Sequence, residues 1–161
     1  MNKIKRMLFF VFVTCMWFNI LTVQAADERV GLSVDGSILT DENEVSGSTQ
    51  SGARGTYLSY GNCILTNQGN KVVNVWGSTT CYKTCDKVKV TLYLQRLEGS
   101  TWTTVTTLST KVVYNDHYVS NSKNVSVTGG YYYRIKGSHV AIKGKTTETT
   151  SSSTDGMWVS K

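Results

Sequence analysis

Proline is absent from the 161 residues, and histidine occurs only twice. The first absence excludes a Leu-Pro-x-Thr-Gly cell-wall sorting signal. The second leaves His117 and His139 as the only imidazoles, and no Gly-x-Ser-x-Gly nucleophile motif accompanies either of them. There is no Cys-x-x-Cys, so a closed zinc site lacks its four ligands. Phosphate loops, dinucleotide fingerprints and an Asp-x-Asp-x-Asp calcium run are missing as well. Acids are sparse where a fold is expected. Asp86, Glu98, Asp116, Glu148 and Asp155 each fall at a turn or strand end, which does not suit the paired carboxylates of sugar cleavage. No helical stripe of apolar residues follows the first 25 residues. These gaps predict a protein with no catalytic residue, no metal and no cofactor.

What is present begins with an address. The basic stretch "MNKIKRM" precedes an apolar run from Leu8 to Val23, and the small residues Val23 and Ala25 suit signal-peptidase cleavage after Ala25. The run is broken by Thr14, Cys15, Asn19 and Thr22, and it is short for a membrane span. The expected product is a secreted, extracellular chain of about 136 residues with no stable membrane insertion after cleavage. Its charge is uneven. Residues 26–56 hold Asp27, Glu28, Asp35, Asp41, Glu42 and Glu44 against Arg29 and Arg54, a net −4, whereas residues 57–161 hold five acids against twelve bases, a net +7. The mature total of +3 and the export signal argue against a nucleic-acid partner.

Residues 26–56 show little periodicity and many Gly, Ser and acidic residues, so they read as an acidic, largely disordered leader, with one weak hairpin at Asp35-Gly36. After Gly55 the apolar period becomes two. Strands are expected over 56–67, 71–82, 87–97, 102–113, 124–128, 131–142 and 156–160, with a type II′ turn at Gly99-Ser100 and a loop over 114–123. Residues 57–161 therefore predict an all-β, two-sheet antiparallel sandwich of about seven strands. Of the cysteines after Ala25, Cys81 and Cys85 flank an expected turn, and an exported chain favours their bridging; pairings of Cys63 with either stand as alternatives.

Two resemblances add to this. "NVSVTGGYYYRIKG" resembles the E-to-F segment of fibronectin type III domains, with Val125 at the apolar position, Tyr131 as the corner tyrosine, and Tyr133, Ile135 and Gly137 inward. That likeness implies an immunoglobulin-like fold. The blocks "DGSILTDE", "RGTYLSYGNCI", "VTLYLQRLEGSTWTTV" and "GYYYRIKGSHVAIKGKTTET" together resemble a family of small exported proteins of clostridia-type Gram-positive bacteria. This second likeness implies export and a Gram-positive setting, and it supplies no site residues.

The Gly99-Ser100 turn sets Leu97 opposite Trp102 and places Trp102 on one outer face with Tyr93. In a fibronectin-like order Tyr132, Arg134 and Lys136 join them, together with Lys89. The predicted ligand surface is therefore Tyr93, Trp102 and Tyr132 interleaved with Lys89, Arg134 and Lys136. Three functions fit such a chain. The first is a secreted, non-catalytic binding protein whose partner is an unknown protein. The second is a carbohydrate-binding module using the same aromatics on a glycan. The third is a small secreted enzyme or inhibitor, whose enzymatic form needs a reactive Cys63 or histidine.

Overall fold

The computed structural model describes residues 28–49 and 55–161. The expected signal peptide, residues 1–25, lies outside them. Ten strands follow in order: β1 (Ser33–Val34), β2 (Ser37–Thr40), β3 (Glu44–Ser48), β4 (Leu58–Asn67), β5 (Val72–Glu98), β6 (Thr101–Thr107), β7 (Lys111–Ser126), β8 (Tyr131–Lys143), β9 (Thr146–Ser153) and β10 (Gly156–Val159). No helix occurs among the described residues, and the all-β class stands.

The strands make one curled, mixed sheet, a half-barrel, instead of two stacked antiparallel sheets. Its main path runs β1-β2-β10-β8-β5-β4-β3, with β6 and β7 also on β5 and β9 on β8. The cause of the continuity lies in "CYKTC", the expected turn. Pairing continues through it, with Leu58 opposite Cys81 on one side and Cys85 opposite Asp116 on the other. The strand bulges between Thr80 and Cys85 and bends there, so β5 runs unbroken for 27 residues. The sheet is mixed because β2 runs parallel to β10, with Gly156 beside Leu39 and Met157 beside Thr40.

The inside of the curl is filled by the alternate positions that period two marked out. Val73, Val75, Val88, Val90, Leu92 and Leu94 of β5 are fully buried with Cys63, Leu65 and Ile135. Each such side chain contributes about 1.5–3 kcal/mol relative to exposure. The Gly99-Ser100 hairpin forms as expected, with Gly99 at φ +61° and Glu98 opposite Thr101. The tyrosine that closes the corner before β8 is Tyr133, not Tyr131: its hydroxyl donates to the Thr128 carbonyl at 2.8 Å. Tyr131 instead lies under the Arg96 guanidinium, 4.6 Å from its ring centre.

The leader is the largest departure from expectation. Residues 33–48 carry β1, β2 and β3. Asp35 (φ +48°) and Gly36 (φ +76°) both adopt the left-handed conformation that a type I′ hairpin requires, so this expected turn forms and is anchored. β3 adds to the far edge through β4, with Val45 opposite Leu65. Where the chain resumes, Glu148 of β9 accepts the backbone N–H groups of Thr56, Tyr57 and Leu58 at 2.8, 2.9 and 2.6 Å. Partial burial raises the Glu148 pKa, but those three donors outweigh it and hold the carboxyl below its ordinary value.

Candidate functional site

The six residues of the predicted surface do share one outer face. Tyr93 pairs with Lys136, Gln95 with Arg134, Leu97 with Trp102, and Lys89 with Val140. Tyr132 falls two residues before Arg134 and so points the same way. The structure brings these side chains together and then closes half of the face. The β1–β2 hairpin lies across Trp102, Tyr132 and Arg134, and these, predicted to stand open to a ligand, are buried. Leu39 packs there with Leu97, while Tyr132 meets Trp158 at 4.9 Å between ring centres. Arg134 holds the hairpin down. Its Nε donates to Gln95 at 2.9 Å, and its terminal nitrogens donate to the Asp35 carbonyl and Ser37 Oγ at 3.0 Å and to Asp35 Oδ2 at 2.7 Å. The same guanidinium stacks 4.5 Å from the Trp102 ring centre, and Trp102 Nε1 donates to the Val34 carbonyl at 3.1 Å. Hydrogen bonding from Arg134 in turn pulls the Asp35 carboxyl below its usual range. The cause of the closure was legible only in part: Leu39 and Val34 are scattered apolar groups whose purpose appears once Tyr132 and Trp102 need cover.

Lys89, Tyr93 and Lys136 remain accessible, Lys136 exposed and the other two half-buried. Their in-register neighbours are Val112 and Val140 at Lys89, Thr107 at Tyr93, and Ser153 at Lys136. None of these is acidic.

A second constellation lies inside the curl. The Thr79 hydroxyl donates to the Lys89 carbonyl at 2.9 Å and lies 2.9 Å from His139 Nδ1. Nε2 of the same ring lies 2.8 Å from Ser152 Oγ. Ser152 Oγ donates to Cys63 Sγ at 3.2 Å, and the Cys63 thiol donates to the Gly47 carbonyl at 3.5 Å. Burial drives the His139 pKa down to about 4 and the Cys63 pKa up to about 11. Two glycines make room for the ring, since a Cβ on Gly61 would overlap it and one on Gly137 would crowd Nε2. A serine on a neutral imidazole has the first two members of a nucleophile–base pair. Here the third is a threonine hydroxyl rather than a carboxylate, and Cys63, Thr79 and His139 are 0% exposed with Ser152 at 4%. No substrate reaches Ser152 or Cys63 without opening the sheet. Parity alone placed His139 inward; nothing in "TTETTSSST" singled out Ser152.

Cys81 and Cys85, expected to be bridged, are both buried thiols with no disulfide between them. The bulge holds them in one strand, four residues apart, instead of across a turn. Burial first, and then the neighbouring Cys85 thiol, raise the Cys81 pKa to about 12. The other histidine, His117, lies exposed on β7 beside Asp116 rather than in a loop.

A search of curated proteins and a search of solved structures each found no match. A family model does match, over residues 24–157, and on that extent the chain belongs to a family of unknown function, DUF6147.

Proposed function

We propose that this chain is an exported, non-catalytic binding protein that engages an acidic protein surface through the open part of the β5–β8 face. The observation that carries this reading is the juxtaposition of Lys89, Tyr93 and Lys136 on one sheet face whose in-register neighbours are Val, Ser and Thr. Two ammonium groups flanking a phenol attract carboxylates over several ångströms, and the ring adds contact area at low entropic cost. The sealed Cys63–Ser152–His139–Thr79 relay supports a non-catalytic reading, because its reactive atoms are all inside. Carbohydrate binding through Trp102 and Tyr132 loses its platform, since the leader hairpin occupies it.

The test uses poly-L-glutamate as a defined acidic chain, with binding measured for the mature protein and for Lys89→Glu/Lys136→Glu. Binding that weakens with added salt and drops about tenfold or more in the variant is expected. Equal binding by both proteins removes this surface from consideration.

A further inference from the structure

The other half of β5 carries a second outer face, with a different chemistry. Residues opposite one another in antiparallel strands project to the same side, so the pairings of β4, β5 and β7 read directly as rows. In the first row Trp76 lies between Ile64 and Ser122. In the next, Ser78 lies between Asn62 and Ser120; in the third, Thr80 lies between Tyr60 and Tyr118. Val73, Val75 and Cys81, of opposite parity on β5, fill the core, which confirms that these rows face out.

Three properties of this face converge. Its aromatics are accessible: Tyr60 is 45% exposed, Tyr118 is 41%, and Trp76 is partly so. They are spaced along a shallow polar floor. Tyr60 and Tyr118 stand about 10 Å apart across two strand spacings, and Trp76 lies about 13 Å along the strand from their row. Between them Ser78 is only 3% exposed, so the floor is low and lined by Asn62 and Ser120. Finally, none of the three rows contains a Lys, Arg, Asp or Glu, although the chain has 17 bases and 11 acids.

We infer that this face binds a neutral polysaccharide. A sugar ring offers an apolar C–H face and a rim of hydroxyls. Flat aromatics take the first, and amide and hydroxyl side chains exchange hydrogen bonds with the second. An anionic polymer finds no counter-charge here and is drawn to the lysine-bearing face instead. A protein partner fits poorly, because the floor is serine-rich and serine is depleted from the buried centres of protein interfaces. Glycan affinity thus moves from the covered Trp102 and Tyr132 to Trp76, Tyr60 and Tyr118.

Affinity gel electrophoresis of the mature protein tests this against mixed-linkage β-glucan, glucomannan and arabinoxylan, with polygalacturonate as an anionic comparison. The expected result is retardation by at least one neutral polymer. For that polymer the dissociation constant should rise about tenfold or more in Tyr60→Ala/Tyr118→Ala. It should be unchanged in Tyr114→Ala, which removes an exposed tyrosine elsewhere on β7, and in Lys89→Glu/Lys136→Glu. Both tyrosines are surface residues, and thermal unfolding checks that the double variant is folded. No retardation by any neutral polymer overturns the inference. So does equal retardation of the double variant, retardation confined to polygalacturonate, or sedimentation showing that Tyr60 and Tyr118 hold two copies of the chain together.

Discussion

His139 is the residue at which chemistry and stability meet. Its ring is buried neutral between two hydroxyls, with its pKa near 4 against an ordinary value of 6.5. The unfolded chain therefore takes up a proton that the folded chain refuses. Full stability is present above pH 6.5 and is lost progressively as pH falls toward 4, by about 3 kcal/mol over that interval. Denaturant unfolding at pH 7.0 and pH 4.5 should show this loss, and His139→Gln should show a clearly smaller one. An equal loss in the variant would assign the pH dependence to other groups. Glu148 adds its own dependence lower on the scale. Its carboxyl is held below 4.5 by three backbone donors, so that contribution is present above 4.5 and fades only in stronger acid.

At the scale of elements, the strands that sequence reading found are β4, β5 and β8, each with a buried alternate face, and the shorter β6 and β10. The ones it left as loop or tail, β3, much of β7, and β9, each pair along one side only. In β9 the inward positions are polar because they serve polar partners: Glu148 holds the 56–58 segment and Ser152 meets His139. An alternation of polar with polar carries no amplitude, and no window of hydrophobicity reveals it. The binding face was legible in a similar, partial way. Parity and the Gly99 turn placed all six residues on one side, but no local rule could say that a hairpin more than fifty residues upstream would cover three of them. Arg134 is the hinge of that arrangement, and a fork is what its four hydrogen bonds require. Arg134→Lys should keep the charge, lose about 2 kcal/mol, and speed amide hydrogen exchange at Ser37 and Leu39 while leaving β4 protected. Unchanged exchange at the hairpin would show that apolar packing of Leu39 alone holds it.

For the molecule as a whole, the hairpin covers half of the one surface that the sequence predicts. With it in place the lysine-bearing area is small, and the neutral aromatic area lies beyond the bend of β5. A chain beginning at Asp41 should expose Leu97, Trp102 and Tyr132, bind a hydrophobic reporter dye more strongly, and unfold at a lower temperature than one beginning at Ala26. Unaltered dye binding would mean that other residues cover the site. The pairing of β2 with β10 has a kinetic side. The ladder that takes up β2 is supplied by the last strand, Gly156–Val159, so the leader hairpin has no place to dock on a growing polypeptide until its final residues are made. Leu39 waits for Gly156 and Trp158 before its cleft is complete. The leader hairpin therefore stays undocked until synthesis is nearly done, which leaves the front of the chain extended for the export proposed for it.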